Sequence, residues 1–256
     1  MKKIVSAILA CVLCASAAVA AAGCGCQKSK NDAKATSGKT TSGSNEPGYR
    51  IEPTDPSFTK GDFGFYRLND SEVKVTVYKG SSKKVEIPAS VDGSAVTVIE
   101  RDLFKGSDIE SVTIPASVRE IQDYAFSQCK NLKEIVVPEG VKTIGSHAFW
   151  YSPALEKITL PSTLKKIGPY AFSATGLKSI TIPETDNTLS SLDEFLFFQC
   201  ANLTEVTIPL SITGIADNAF NECSADLVIK AYTGSCGAQF AKSHNIKLEE
   251  LKRPKQ

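Results

Sequence analysis

Leu155-Glu-Lys-Ile-Thr-Leu-Pro161, followed by Ala171-Phe172, is the stretch of sequence that decides the fold. It reads apolar-x-x-apolar-x-apolar-Pro, then an apolar-x-x-Ile pair, then a phenylalanine five residues after that isoleucine. Leu132 to Pro138, with Ala148-Phe149, repeats the phrase. Six copies occur at intervals of 22 to 25 residues, and such a period predicts coils that stack on their neighbours. We number the coils 1 to 6 by their aligned phenylalanines, which are Phe104, Phe126, Phe149, Phe172, Phe197 and Phe220.

Each coil is predicted to contain two extended pieces and a turn. In coil 4 the first is a strand, Leu155 to Leu160, which Pro161 ends because proline cannot donate a ladder hydrogen bond. The second is Leu164 to Ile167, and a turn or short helix then carries Phe172. The apolar positions point inward, and burying one such side chain contributes ~1.5–3 kcal/mol. One coil cannot bury its own apolar face, so stability is expected to be cooperative between neighbours.

The two ends of the repeat array differ from the coils and are predicted to cover its open core. At the first end, Phe63 to Tyr78 alternates in polarity and is expected to form a β-hairpin-like cover. At the other end, Leu227-Val-Ile229 is a predicted strand, and Ser235 is predicted to cap a short helix. Ile246 to Leu248 then returns as a strand. In coil 5, extra residues around 186–191 are expected to form a loop.

The repeat resembles the BspA-like branch of the leucine-rich repeats. The resemblance lies in Ile135-Val-Val-Pro138 with Ala148-Phe149 and their equivalents, and in a Phe-x-x-Cys motif in three coils. It implies a β-rich α/β fold: one right-handed solenoid with parallel strands, short helices or turns, and terminal caps. Members of this family are mostly bacterial surface proteins that bind other proteins or host surfaces. The predicted organisation is a signal peptide (1–23), a lipidated cysteine with a flexible linker (24–60), a repeat domain (61–251) and a tail (252–256). Within the repeat domain, about six repeats (85–226) lie between an N-terminal cap (61–84) and a C-terminal cap (227–251).

The N-terminus has the composition of a secretory signal. Two lysines precede an alanine-rich apolar run, Ile4 to Val19, which is too short for a convincing transmembrane helix. Ala21-Ala22-Gly23-Cys24 then resembles a bacterial lipobox, in which Cys24 becomes the lipidated first residue, although such boxes usually carry leucine where Ala21 stands. The alternative is ordinary cleavage after Ala20 or Ala22. The segment from 27 to about 60 is rich in Ser, Thr, Gly and Lys and is predicted to be a flexible tether.

Composition and motifs disfavour catalysis, metal binding and nucleic-acid binding. The formal net charge of +1 gives no attraction toward nucleic acid. Cys129, Cys200 and Cys223 share one repeat position, where a small apolar residue fits without chemistry, and none has zinc-site spacing. Cys200 and Cys223 lie on adjacent coils, so a disulfide and two buried thiols are both open. His147 and His244 belong to no catalytic motif, and we expect no enzyme, cofactor or metal.

Two columns of outward residues are candidate binding sites. Arg119, Lys142 and Lys165 stack with like charge, so they either attract an acidic partner or extend into solvent. The second candidate is aromatic and occupies the positions just before and just after the buried phenylalanines of the middle coils. These rings could contact a partner, or they could pack against the coil 5 loop or between neighbouring turns. Its candidate binding residues are Trp150, Tyr151, Phe198, Tyr124, Tyr170 and His147.

The sequence therefore predicts an exported, lipid-anchored protein on the outer face of the cell membrane or at the cell surface. Its expected activity is non-catalytic binding of a protein or of a ligand on a host or neighbouring cell. A glycan-binding or wall-associated scaffold is the alternative, since the tyrosines and Trp150 could stack on sugars. An enzyme or a purely structural protein without a ligand are further alternatives. Contact with the membrane is expected through the lipid anchor alone.

Overall fold

The computed structural model of the chain describes residues 55–186 and 188–252. The predicted signal peptide, Cys24 and most of the predicted tether lie outside these residues. The described part begins with three antiparallel strands: β1 (Phe58–Lys60) pairs with β2 (Phe63–Arg67), and β2 pairs with β3 (Glu72–Tyr78). The hairpin predicted over Phe63 to Tyr78 is therefore present. β3 then pairs in parallel with β6 (Ser94–Ile99), which joins this cover to the first coil.

The coils build two sheet faces. Face A carries the first strand of each coil and face B carries the second. Face A consists of β4 (Lys84–Glu86), β7 (Ser111–Thr113), β9 (Glu134–Val136), β11 (Lys157–Thr159), β13 (Ser179–Thr181), β15 (Glu205–Ile208) and β17 (Val228–Tyr232). Face B consists of β6, β8 (Glu120–Ile121), β10 (Thr143–Ile144), β12 (Lys166–Ile167), β14 (Ser191–Leu192) and β16 (Gly214–Ile215), with β5 (Ser90–Val91) antiparallel to β6. The fold is thus a parallel β-solenoid, as predicted.

The strands pair in the register of the sequence repeat. Ile144 of β10 lies opposite Ile121 on one side and Ile167 on the other, so equivalent isoleucines form one buried row. The strands are shorter than predicted: three residues in coil 4 on face A and two on face B. The segment that carries Phe172 consists of turns, which is one of the two forms predicted.

The core is organised around the aligned phenylalanines. Consecutive rings from Phe104 to Phe220 stack with centroids 5.2–5.7 Å apart and planes within 18° of each other. Five of the six are at most 1% exposed, and Phe220 is 7% exposed. Offset stacks of this kind stabilise beyond the apolar area they bury. A single column of rings therefore runs through the solenoid and couples each coil to the next.

The C-terminal end closes the column. Phe240 packs on Phe220 with ring centroids 5.6 Å apart. It lies on α1 (Cys236–Ser243), whose N-cap Ser235 accepts a hydrogen bond from the backbone N–H of Ala238, as predicted. Among the described residues α1 is the only α-helix, and β18 (Lys247–Leu251) follows it as the last strand beside β17. None of the described helices is long and apolar enough to cross a membrane.

Candidate binding surface

The basic column is located at the beginning of the face B strands. The N–H of Lys142 donates to the carbonyl of Arg119, and the N–H of Lys165 donates to that of Lys142, each at 2.8 Å. All three side chains are exposed, and none forms an ion pair with a described residue. The Arg119 guanidinium turns back to donate to the carbonyl of Ala116 at 2.8 Å. The positive charge of this column is therefore not neutralised by a direct partner.

The aromatic column forms a second stack of rings, outside the core. His147 lies between Tyr124 and Tyr170, with centroids 4.6 and 4.7 Å away and planes within 14°. Tyr170 in turn stacks on Phe195 at 4.8 Å. All four side chains are half-buried, and the ammonium of Lys105 lies 5.1 Å from the centre of the Tyr124 ring at the end of the stack. The structure brings the predicted residues Tyr124, His147 and Tyr170 together with Phe195 as one continuous stack along coils 2 to 5.

An unusual backbone conformation supports this stack. Its four residues have φ between +54° and +58°, in the left-handed region that non-glycine residues seldom adopt. A second left-handed position follows the core phenylalanine by two residues and holds Tyr151 in coil 3 and Ala174 in coil 4. The two positions reverse the chain around each phenylalanine. These conformations cannot be read from the sequence, because glycine, their usual signal, occupies the second position only in coil 1.

Trp150 and Phe198 pack against the outer edge of the stack. The Trp150 ring lies 6.0 Å from His147 at 80°, and the Phe198 ring lies 5.5 Å from Phe195 at 85°. Both side chains are half-buried, so the packing alternative of the sequence analysis accounts for part of their surface. Tyr151, at 49% exposure, is the aromatic residue of this group that extends furthest into solvent. Together with the stack they form what we call the aromatic patch: Tyr124, His147, Trp150, Tyr151, Tyr170, Phe195 and Phe198.

His147 is the titratable group inside the aromatic patch. Burial lowers the pKa of His147 below 6.5, and the nearby Asp123 carboxylate partly offsets this shift. Its Nδ1 atom is buried and has no hydrogen-bond partner. The neutral imidazole is therefore the form that the stack favours, and the patch is uncharged at neutral pH except where Lys105 contacts Tyr124.

The cysteine column has a structural role that the sequence analysis did not predict. The thiol of Cys129 donates to the carbonyl of Phe104 in the preceding coil at 3.2 Å, and Cys200 and Cys223 make the equivalent bond at 3.1 Å. Ser152 makes it with its hydroxyl in coil 3. In these four coils a small side chain with a hydrogen-bond donor fits the position, and both Cys and Ser provide one. No disulfide joins Cys200 to Cys223.

The chemistry of these thiols does not suit a nucleophile. Burial raises the pKa of Cys129 to about 11 and that of Cys223 to about 12, so both are protonated at neutral pH. Cys223 lines a cleft of about 310 Å³ between coil 6 and α1, which His244 and Asp217 also line. The His244 ring stacks on Phe240, and its Nε2 atom lies 3.8 Å from the exposed Asp217 carboxylate. A protonated thiol that already donates to a backbone carbonyl does not make these residues a catalytic triad.

Charges on face A are partly compensated between coils. Lys83 pairs with Glu110 at 3.0 Å, and Glu156 pairs with Lys178 at 2.6 Å, and opposite charges on adjacent strands stabilise their pairing. Lys133, between the two pairs, forms no ion pair with a described residue. Within residues 55–186 and 188–252 there is also no group of His, Cys, Asp and Glu side chains that could hold a metal ion.

Comparison with known proteins agrees with this architecture. A family model described as BspA type leucine rich repeat region matches residues 97–226 in six copies. The chain belongs to this family. Among solved structures, a T. pallidum leucine rich repeat protein is 27% identical and has a TM-score of 0.61, over 73% of this chain and 95% of that one. None of the curated proteins searched matches the chain.

Two more distant solved structures also align with the chain. A leucine rich cell surface protein from Faecalibacterium prausnitzii is 19% identical with a TM-score of 0.34, over 67% of this chain and 75% of that one. The pneumococcal vaccine antigen PcpA is 12% identical with a TM-score of 0.34, over 77% and 98%. Membership of the BspA type family suggests a surface or protein-interaction role, and repeat solenoids of this kind are generally not enzymes.

Proposed function

We propose that the chain is an exported, lipid-anchored surface protein that captures a protein on a host or neighbouring cell, without catalysis. The observation that carries this proposal is the aromatic patch, whose rings are only half-buried although the core already has its own phenylalanine column. Large aromatic side chains at the surface supply most of the energy of many protein interfaces. The patch extends over four coils, so its affinity for a partner is spread along the solenoid axis.

The basic column gives the proposed surface a second kind of contact. Arg119, Lys142 and Lys165 are successive residues of one column, at the strand spacing of about 4.8 Å. Because no described carboxylate pairs with them, they are available to an acidic segment of the same partner. Exposed charges of this kind mainly raise the association rate, and their effect decreases with salt.

Capture experiments with matched variants test the proposal. The full chain is immobilised and exposed to cell-surface proteins and, separately, to surface polysaccharides. The double variant Trp150→Ala/Phe198→Ala should lose capture of the protein ligand, while Val136→Ala should keep it. Val136 is the matched control because it is an apolar residue 61% exposed on face A, away from the patch. Equal capture by both variants would show that the aromatic patch is not the binding surface.

A glycan ligand is the second candidate function. The observation in its favour is that Trp150 and Phe198 are half-buried rings that pack nearly perpendicular to the rings of the stack, so part of each ring surface remains accessible. Aromatic faces of this kind stack on the apolar faces of sugars. Retention of polysaccharide but not of protein, with loss in the same double variant, would establish this candidate instead.

The anchor is tested separately from binding. Cys24 is the proposed lipidation site, and it lies outside the described residues. The intact mass of the protein extracted from membranes should exceed that of the cleaved polypeptide by the mass of the lipid. An unmodified cysteine at this position would exclude the lipid anchor but not the binding function.

A further inference from the structure

His147 is the member of the aromatic patch whose charge can change near neutral pH. The equivalent residues of the neighbouring coils, Tyr124, Tyr170 and Phe195, stack in the same way without an imidazole. Among these three types of side chain, only histidine titrates near neutral pH when its surroundings do not perturb it. Stacking alone therefore does not require a histidine, and what His147 adds to the stack is a response to pH.

The imidazole of His147 is enclosed by three other rings. Tyr124 and Tyr170 stack on it with centroids 4.6 and 4.7 Å away, and Trp150 packs nearly perpendicular to it at 6.0 Å. Its Nδ1 atom is buried and has no hydrogen-bond partner. The backbone of His147 is held in place, since its N–H donates to the carbonyl of Pro169 and its carbonyl accepts from the N–H of Trp150, each at 3.0 Å. A change of charge is therefore expected to move the side chain rather than the backbone.

Protonation is unfavourable while the imidazole stays between the tyrosines. A charged imidazole carries a hydrogen on both ring nitrogens, so the buried Nδ1 of His147 becomes a donor without an acceptor, which is costly above all for a charged group. Aromatic faces attract a cation, but the Tyr124 ring already has the ammonium of Lys105 5.1 Å from its centre, and a second cation adds repulsion between like charges. The neighbours in coil 4, Tyr170 and Pro169, are uncharged and do not offset this repulsion. Burial lowers the pKa of His147, in agreement with this balance.

An acceptor for the charged imidazole is fixed close to the stack. The Asp123 carboxylate is near enough to His147 to raise its pKa, against the larger effect of burial. Arg101 donates to one oxygen of this carboxylate at 3.2 Å, and the N–H of Ser146 donates to the other at 2.8 Å. These two bonds hold the Asp123 side chain in position. A charged imidazole is therefore attracted toward Asp123 and away from its place between the tyrosines.

We propose that protonation of His147 opens the aromatic stack and releases the captured protein, so that the aromatic patch binds at neutral pH and releases its partner in acid. This inference rests on the proposed protein-binding function and names the regulation of its site. When the imidazole leaves, Tyr124 is separated from Tyr170, and Trp150 loses a ring on which it packs. A partner that contacts several rings at once then loses the continuous surface that holds it.

The emission of Trp150 reports the opening, because this single tryptophan of the chain packs on His147. The full chain is titrated from about pH 7.5 to about pH 4.5, while circular dichroism verifies that the fold persists. The emission should change along one titration with its midpoint below pH 6.5, the same midpoint at which NMR shows the imidazole of His147 to titrate. His147→Phe keeps a ring in the stack and should abolish the change. His244→Asn removes the other histidine and, as the matched control, should retain it.

The capture experiment connects this opening to binding. Cell-surface proteins retained by the immobilised chain at neutral pH should dissociate about tenfold faster at one pH unit below the midpoint, and at an almost unchanged rate from His147→Phe. An emission that stays constant while His147 titrates, or that changes equally in His147→Phe, would show that the stack does not open. Equal acceleration of release from both proteins would show that His147 is not the switch. If no protein is captured at neutral pH, the proposed function itself fails, whereas capture without acid release overturns the switch alone.

Discussion

The left-handed residues around each core phenylalanine predict that one chemical change has opposite effects at two positions of the same coil. Ala174 has φ +54°, whereas Ala171, three residues earlier, is not left-handed and is fully buried. A non-glycine residue in the left-handed region costs roughly 1–2 kcal/mol. Glycine removes this cost but adds about 0.4–1 kcal/mol of entropy to the unfolded chain. Ala174→Gly should therefore raise the free energy of unfolding by about 0.5–1 kcal/mol.

The control variant, Ala171→Gly, should be less stable than the parent for two reasons. Ala171→Gly gives up a buried methyl group, about 0.8 kcal/mol, and gains the same unfolded-state freedom without relief of strain. We expect it to be destabilised by about 1.5 kcal/mol. For a chain of this size 1 kcal/mol corresponds to roughly 2–4 °C, so calorimetry should show Tm rising in Ala174→Gly and falling in Ala171→Gly. A decrease of similar size in both variants would refute the reasoning from backbone strain.

Three further predictions concern charge, hydrogen bonding and pH. Lys74 pairs with Glu100 at 2.7 Å, and both side chains are almost fully buried. Lys74→Met should therefore lower the free energy of unfolding by about 3–5 kcal/mol in chemical denaturation, because it leaves a buried carboxylate without its partner. The double variant Lys74→Met/Glu100→Leu should recover most of this loss, and a double variant as unstable as the single one would contradict the prediction. Cys129→Ser should be less destabilising than Cys129→Ala, because the hydroxyl keeps the bond to the Phe104 carbonyl; equal losses would rule out that bond as a stabilising contact. The fold lowers the pKa of His147, so the neutral imidazole stabilises the folded state above pH 6.5, and this stabilisation is lost as pH falls through the folded-state pKa. Between about pH 7 and pH 5, Tm should therefore fall less in His147→Tyr than in the parent protein. Parallel decreases in Tm would contradict that assignment.

The solenoid itself followed from the sequence because repetition sets the register. Once Ile121, Ile144 and Ile167 occupy equivalent positions, only one alignment of neighbouring coils buries them all, and the structure has that alignment. The caps were predicted for the same reason. A stack of coils exposes apolar ends, and the segments around Tyr78 and Phe240 carry the rings that cover them.

The candidate surface was predicted only in part. The column positions of Tyr124, His147 and Tyr170 identified which residues neighbour one another. Their stacking, however, depends on a left-handed backbone conformation at these three residues, and no glycine at these positions indicates it in the sequence. The sequence also left open whether Trp150 is exposed or packed. Its half-buried position depends on the direction in which the reversal points the ring.

By itself the sequence determined the repeat, its register and the rows of like side chains, because burial of an apolar face leaves few ways to stack identical coils. Only the tertiary structure decided the conformation of the turns, the partners of the thiols and the orientation of the surface rings. These depend on atoms of a neighbouring coil, such as the Phe104 carbonyl, which accepts a hydrogen bond from the Cys129 thiol of the following coil. Such groups are about one repeat apart in the chain, and they meet only when one coil is laid on another.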